Sequence, residues 1–145
     1  MRIYFDCCCY NRPFDDLTQL RVRLEAEAVL AILCITQNNG WTLVSSDVID
    51  LEISGVKNIA KRNKITELCN LAQEKILTTE SIALRADELQ SFGVKVLDSF
   101  HIAVAEHSGI DILFSTDDKL VNLANRLSLL VRVANPLNWL PEVMT

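Results

Sequence analysis

Short apolar segments alternate with longer amphipathic segments along this chain, and the alternation restricts the fold more than any other feature. The short segments are typical of β-strands and lie at residues 2–5, 41–44, 75–79, 111–116 and 130–135. Because right-handed crossovers between parallel strands place helices over the sheet, the pattern predicts an α/β fold with a mainly parallel sheet covered on both faces. The 145 residues contain no linker or repeat, so we expect a single domain spanning 1–145.

Helix signals fill the intervals between these strands. The longest predicted helix begins at about Asp15, carries apolar residues at three- and four-residue steps, and is ended by the Asn-Asn-Gly of 38–40. Ser45 or Ser46 is expected to cap the next helix, which runs to about Val56. Further helices are predicted at 57–73, 80–92, 96–109 and 116–128.

Charge and composition limit the partners and the location. The net charge of −5 excludes a general electrostatic attraction to nucleic acid, so any such contact should be local and assisted by cations. No apolar run approaches the ~20 residues that span a bilayer, so we expect no membrane segment. The N-terminus carries Arg2 and Asp6 rather than an apolar leader, and the five cysteines are odd in number; both observations favour a reduced, cytoplasmic protein.

Three consecutive cysteines follow an aspartate at the end of the first strand, in the stretch FDCCCY. One interpretation is a metal or redox site, and the other is that the thiols pack around a functional aspartate. Adjacent side chains of an extended segment point to opposite faces, so Cys7 to Cys9 are poorly placed to share one tetrahedral ion. Packing is therefore favoured. Asp6 is the residue expected to carry chemistry, because a charge directly after a buried strand needs a partner or water.

Acidic residues also occur where a parallel α/β sheet carries its functional crevice, outside the carboxyl ends of the strands. Asp6 follows the first strand, and Asp118 ends the Ser-Thr-Asp-Asp segment after the strand at 112–114. Together with Glu52 and Asp98 they form a set of four carboxylates that we expect to converge on one pocket. Each alone is explained as a helix cap or a solvated residue, and only their joint placement favours a site.

Four segments, taken in order, carry a family resemblance: YFDCCCYNRPFDD, VSSDVIDLEIS, VLDSFHIAVAE and LFSTDDKL. The set resembles the PIN-domain family, which includes the ribonuclease toxins of the VapC type, over essentially the whole chain. The resemblance implies a three-layer α/β/α sandwich around a mainly parallel sheet, with an acidic pocket that binds Mg²⁺ or Mn²⁺. The matched acids are Asp6, Glu52, Asp98 and Asp118, with Ser46 ahead of Glu52 and Thr116 as the threonine of a Thr-x-Asp element.

Carboxylates suit this chemistry because Mg²⁺ prefers oxygen ligands and keeps several waters, and because a bound cation relieves the repulsion between acids. We expect Asp6 and Asp98 to be the main metal ligands. Glu52 is expected to align a water, and Asp118 to make a second or water-mediated metal contact. Cys7 stands where such proteins often carry threonine, and its thiol is a weaker hydrogen-bonding group than a hydroxyl.

Two further residues and one segment have open interpretations. His101 lies three residues after Asp98, and a structural histidine is favoured over a catalytic one. Arg12 is placed to reach a phosphate or a protein partner, or simply belongs to a turn with Pro13. The basic segment 57–64 either flanks a nucleic-acid groove or forms a solvated helix face.

The function expected from these features is a Mg²⁺- or Mn²⁺-dependent endoribonuclease, the toxin of a toxin–antitoxin pair, with RNA and an antitoxin protein as partners. The alternative is a weakly active or inactive domain that binds RNA or a protein. A homodimer formed through the long helix from Asp15 stays open. A phosphoacceptor domain of the response-regulator kind is disfavoured, because no acidic pair precedes Asp6 and no lysine follows the last strand.

Overall fold

Five short strands form one sheet in the computed structural model, which describes residues 1–144. The strand order is β3-β2-β1-β4-β5, and each adjacent pair is parallel. The strands are β1 (Arg2–Phe5), β2 (Thr42–Ser46), β3 (Glu74–Ile76), β4 (Ile112–Phe114) and β5 (Arg132–Ala134).

Helices connect the strands and flank the sheet, so the predicted α/β fold is confirmed. They are α1 (Cys7–Asn11), α2 (Leu20–Asn38), α3 (Asp47–Ser54), α4 (Ile59–Cys69), α5 (Glu80–Ser91), α6 (Val96–His107), α7 (Asp118–Arg126) and α8 (Pro136–Val143), with a 3-10 turn at Arg12–Phe14. Among residues 1–144, no helix is both long enough and apolar enough to cross a membrane.

The core lies around the two central strands. All three residues of β4 are buried, as are Ile3, Tyr4 and Phe5 of β1, because helices cover both faces of a parallel sheet. Phe5 stacks on Phe114 of β4 at 5.1 Å between ring centroids. Buried apolar side chains therefore fix the two strands whose ends carry the rim residues described below.

The strand order reverses between β1 and β4. The chain proceeds outward from β1 to β2 and β3, then returns to the other side of β1 to form β4 and β5. In open α/β sheets, a ligand crevice lies outside the carboxyl ends of the strands at such a switch point. The residues there are Asp6, whose backbone N–H donates to Phe114 at 3.0 Å, and Ser115, whose N–H donates to Ala134 at 3.0 Å.

One short helix differs from the sequence prediction. The cysteine triplet was expected to be extended, but Cys7–Asn11 forms α1. Asp6 causes this difference, because its side chain accepts a hydrogen bond from the N–H of Cys9 at 3.1 Å and so caps the helix. The end of α6 agrees with prediction: Gly109 adopts φ +65°, which glycine tolerates without strain.

The start and the buried face of α2 also differ from the prediction. The helix begins at Leu20 rather than Asp15, after a turn in which Thr18 donates to Asp16. Leu20 of the predicted apolar stripe is 59% exposed, whereas Ala28 of the same stripe is buried, together with Glu25 and Ile32, which the stripe did not include. The predicted stripe therefore agrees with the buried face only in part. Cys34 lies on this helix and is exposed.

Candidate active site

Asp6 lies at the switch point and is almost completely buried, at 1% exposure. Burial raises the pKa of its carboxyl group, while three donors stabilise the charge: the hydroxyl of Ser115, the backbone N–H of Cys9 and the thiol of Cys8. Because β1 places Asp6 and the start of α1 orients it, the position of this carboxylate is set by the backbone of two elements.

Asp98 lies in the first turn of α6 and is half-buried. Burial, and then the charge of Asp6, raise the pKa of Asp98 to about 6. The charges of Asp117 and Glu52 contribute to the same rise. The environment of Asp98 is therefore an acidic pocket to which four separate parts of the chain contribute a carboxylate.

Glu52 projects from α3 and forms a hydrogen bond with Nε2 of His101 on α6. Its side chain is 23% exposed, whereas that of His101 is buried. The contact joins the helix after β2 to the helix before β4. Three of the four predicted acids, Asp6, Glu52 and Asp98, thus lie in one electrostatically coupled group.

Asp118, the fourth predicted acid, is not brought to this group. Its carboxylate is ion-paired with Arg21 of α2 at 2.5 Å, and Arg21 lowers its pKa. The side chain is 57% exposed and lines a separate cleft of about 450 Å³, together with Leu20 and Asn135. The preceding residue, Asp117, is the one whose charge raises the pKa of Asp98. The structure therefore places Asp117, and not Asp118, beside Asp98, and the role of Asp118 as a metal ligand stays a prediction.

The hydroxyl that contacts the acids also belongs to a neighbouring residue, because the sequence analysis named Thr116 for this position. Ser115 is fully buried; its O–H donates to Asp6, and its oxygen accepts from the N–H of Asp117 at 3.1 Å. Thr116 is also buried, but the hydroxyl that joins the two acids belongs to Ser115. The element at this edge is therefore Ser115-x-Asp117. A signal was present in the sequence, since Ser115 directly follows the last residue of β4.

The thiols behave as the packing prediction requires. Cys7 and Cys9 are buried and Cys8 is half-buried; all five cysteines of the chain are free. Burial raises the pKa of Cys7 to about 12, so this thiol stays protonated at neutral pH. The thiol of Cys8 donates to Asp6 across 3.5 Å. The thiols of the triplet therefore stay protonated and pack around Asp6.

Arg12 and Ser46 have structural contacts. Arg12 donates to Asp15 at 2.9 Å and to the buried Glu25 at 3.0 Å. Ser46 is fully buried and caps α3 by accepting from the N–H of Ile49 at 3.3 Å. The predicted cap of α3 is confirmed, and the guanidinium of Arg12 is engaged by two carboxylates.

The chemistry of the donor set fits a hard divalent cation. The coupled groups around Asp98 are carboxylates, which are the ligands that Mg²⁺ prefers. Within residues 1–144, however, no three His, Cys, Asp or Glu side chains lie close enough to form a ready-made metal site. Because Mg²⁺ usually takes one or two carboxylates and keeps several waters, the spacing suits this ion better than an ion that needs a closed set of protein ligands.

Comparison with known proteins gives a family match and two similar structures. The sequence model of the PIN domain matches residues 21–126. The crystal structure of VapBC2 from Rickettsia felis, bound to a promoter DNA fragment, is similar with a TM-score of 0.65 and 13% identity, over 93% of this chain and 98% of the other. The structure of VapBC-1 from nontypeable Haemophilus influenzae is similar with a TM-score of 0.59 and 17% identity, over 94% and 98%. A search of curated protein sequences finds no match.

Proposed function

The chain belongs to the PIN-domain family, and from this premise we propose that it is a Mg²⁺- or Mn²⁺-dependent endoribonuclease, the toxin of a toxin–antitoxin pair. The observation that carries the proposal is the group of Asp6, Glu52, Asp98 and Asp117 at the switch point of the sheet, where burial and the charges of the other three acids raise the pKa of Asp98 to about 6. Crowded, partly buried carboxylates with shifted pKa values are characteristic of functional sites.

In this proposal Asp6 and Asp98 hold the metal ion. When bound, the ion lowers the pKa of a coordinated water and stabilises the charge that develops on the scissile phosphate. The hydroxyl of Ser115 and the N–H of Cys9 orient Asp6 and oppose the burial that raises its pKa. Glu52 accepts a proton or a hydrogen bond from water, and Asp117, held by Ser115, contributes the further acidic contact first assigned to Asp118.

The partner proposal rests on the similar structures. Both are VapBC complexes, so an antitoxin protein is the expected partner of this chain. A binding module that hydrolyses little is the second candidate. It is favoured by one observation: within residues 1–144 the acids do not form a ready-made group of three metal ligands.

The test combines thermal unfolding with RNA cleavage, each with and without Mn²⁺. A cation that binds only the folded pocket stabilises the protein by ~2.7 kcal/mol at a free concentration a hundred times its Kd. We therefore expect Mn²⁺ to raise the melting temperature of the native protein and to start cleavage of structured RNAs. Asp98→Asn should abolish both effects. The matched control is Asp87→Asn, which removes an exposed carboxylate on α5 and should change neither.

Two outcomes contradict the proposal at different points. An intact Mn²⁺ shift in Asp98→Asn would remove this residue from the metal ligands. A native protein with no Mn²⁺ shift and no cleavage would leave the binding module as the function.

A further inference from the structure

We propose that Tyr4 and His101 are positioning residues, which orient Glu52 toward the acidic pocket through a buried chain of hydrogen bonds that starts at Ser46. The inference rests on the proposed function, because it explains how Glu52 is held for the reaction. It also makes a claim about hydrogen bonding that can be measured without any catalysis.

The chain of contacts runs from β2 through β1 to α6 and α3. Ser46 Oγ lies 2.6 Å from Tyr4 Oη, which lies 2.7 Å from His101 Nδ1. The other ring nitrogen of His101, Nε2, is hydrogen-bonded to Glu52 Oε1. Ser46 and Tyr4 are fully buried and His101 is 1% exposed, so only Glu52 reaches solvent.

The direction of these hydrogen bonds follows from counting donors. Ser46 Oγ already accepts from the N–H of Ile49, so its hydroxyl hydrogen is left to donate to Tyr4. The Tyr4 hydroxyl then donates to Nδ1 of His101, and a neutral imidazole with an acceptor Nδ1 carries its proton on Nε2. That proton is donated to Glu52.

The reverse direction is disfavoured. It would require Tyr4 to donate to Ser46, and the hydroxyl hydrogen of Ser46 would then have no acceptor among the hydrogen bonds of residues 1–144. A buried donor without a partner costs free energy. An imidazolium at His101 meets the same objection, because its Nδ1–H would also donate to Tyr4. The Nε2–H tautomer with Glu52 as acceptor is therefore the consistent arrangement.

The consequence is a fixed glutamate. Glu52 is a flexible side chain on a short helix, and the N–H of His101 holds one of its two carboxylate oxygens. The second oxygen is left to accept from a water in the pocket, where the charge of Glu52 already acts on Asp98. Small displacements of a group that aligns a reactant lower the rate strongly, so such support has a kinetic effect.

The first arm of the test is NMR of the histidine ring nitrogens in the metal-free protein. The chain has two histidines, and the exposed His107 serves as an internal reference, with His107→Gln for assignment. We expect His101 to be a single Nε2–H tautomer whose Nδ1 signal moves in Tyr4→Phe. An Nδ1–H tautomer in the native protein, or an unchanged signal in Tyr4→Phe, would overturn the chain of hydrogen bonds.

The matched control is Tyr10→Phe. Tyr10 is also a fully buried tyrosine, and its hydroxyl has no hydrogen-bond partner among the described residues. Both substitutions delete one buried hydroxyl, but only Tyr4→Phe breaks the chain. We expect Tyr10→Phe to leave the His101 signals and the cleavage rate unchanged; a change equal to that of Tyr4→Phe would reduce the role of Tyr4 to packing.

The second arm separates kcat from KM. We expect Tyr4→Phe to lower kcat by about tenfold and to leave KM and the Mn²⁺ thermal shift unchanged. This is the expected behaviour of a residue that orients a functional group without contacting the substrate or the metal. His101→Gln retains an N–H for Glu52 and should keep more activity than His101→Leu, which retains none. Equal activity in the two His101 variants, or a Tyr4→Phe effect confined to KM, would refute the positioning role.

The two arms also distinguish this inference from the proposed function. If the native protein cleaves no RNA, the proposed function fails and the kinetic role of Tyr4 and His101 fails with it, whereas the NMR result still decides the tautomer. If the native protein is active but the NMR and kinetic expectations both fail, only this inference is lost.

Discussion

Asp117 and Asp118 are adjacent in sequence, yet their side chains have different surroundings. Asp117 is the N-cap of α7 and accepts from the N–H of Lys119 at 2.9 Å, on the side where its charge reaches Asp98. Asp118 is the first residue of the helix and pairs with Arg21. One step along a helix start is enough to turn a carboxylate from the pocket to the outer surface.

The first prediction separates these two residues. Asp117→Asn should lower RNA cleavage at least tenfold, because it removes the charge of the further acidic contact in the proposed site. It should leave stability nearly unchanged, because asparagine caps a helix about as well as aspartate. Asp118→Asn should leave cleavage unchanged. Cleavage assays and thermal unfolding of both variants check this, and a loss of activity in Asp118→Asn alone would restore the original assignment.

The sequence alone could not choose between the two. In Ser-Thr-Asp-Asp both registers offer a hydroxyl and an acid at the same spacing. The choice depends on Arg21, which is 97 residues away and attracts Asp118. By contrast, Asp6 and Asp98 were predicted from their places at a strand end and a helix start, and Glu52 from the family resemblance, and the structure brings these three together.

The second prediction concerns pH and Asp98. Its pKa is about 6 in the folded protein and ordinarily 3.8, so between about pH 4 and pH 6 the folded state holds a proton that the unfolded state has lost. The stabilisation from this proton is complete below about pH 4 and is lost as the pH rises through about 6. Without metal, the stability of Asp98→Asn does not fall in this way, because asparagine has no carboxylate to titrate.

We therefore expect the melting temperature of Asp98→Asn, relative to the native protein, to rise between pH 4 and pH 7 in the presence of a chelator. Thermal unfolding of both proteins across this range measures the difference. A difference that does not change with pH would mean that burial and the neighbouring acids do not raise the pKa of Asp98 in solution. Addition of Mn²⁺ at pH 7 should reverse the order, because only the native protein gains a ligand.

Among the elements, three helices begin at the same edge of the sheet with polar caps. Asp6 caps α1, Ser46 caps α3 and Asp117 caps α7. Helix N-termini carry partial positive charge and free N–H groups, so they stabilise the carboxylates at this edge. The capping residues that begin these helices therefore also help to orient the acids at this edge.

Local signals were sufficient for some elements and not for others. The cap at Ser46 and the strand Arg2–Phe5 were predicted where the structure has them. The buried face of α2 was not, because the helix carries apolar residues on more than one face and a glutamate on the buried one. Glu25 is tolerated there because it has partners from other segments, including Asn135, 110 residues away. The spacing of apolar residues along a helix cannot predict such distant partners.

The third prediction concerns α4 and the residues before it. No acidic residue occurs between 53 and 66, and the helix packs against α1 and α3, which begin at the acidic edge. Lys57 and Lys64 are exposed, whereas Lys61 is bonded to Asp15 at 3.0 Å. If RNA lies along this helix, each exposed lysine that meets a phosphate adds about one unit to the slope of log K against log salt.

We expect the Lys57→Gln/Lys64→Gln double variant to bind RNA more weakly and with a smaller salt slope, in an Asp98→Asn background that prevents cleavage. Arg126→Gln is the matched control, because Arg126 is exposed at the far end of α7 from this edge. Binding titrations at several salt concentrations give both quantities. An unchanged slope in the double variant would make the basic segment an ordinary solvated face.

At the scale of the whole molecule, the two ends of the chain and the acidic edge are joined by a buried glutamate. Glu25 is 1% exposed and accepts from Arg12 at 3.0 Å and from Asn135 at 2.5 Å. Arg12 follows α1, and Asn135 caps α8 by accepting from the N–H of Leu137 at 2.8 Å. The alternation of strands and helices predicted the layers, but this link between distant segments comes from the folded structure alone.

The last prediction is that Glu25→Gln destabilises the molecule as a whole. The substitution keeps the size of the side chain but removes the charge and one acceptor, so the guanidinium of Arg12 and the buried amide of Asn135 no longer share a carboxylate. Hydrogen bonds to charged groups contribute about 1.5–3 kcal/mol, so we expect the free energy of unfolding to fall by about 2 kcal/mol.

Glu27→Gln on the exposed side of the same helix is the control and should change stability by less than about 0.5 kcal/mol. Urea unfolding gives the comparison: the midpoint should fall in Glu25→Gln with an unchanged slope, since the same surface is exposed on unfolding. Equal midpoints in the two variants would mean that packing of α8 against α2, and not the buried carboxylate, holds the C-terminal segment in place.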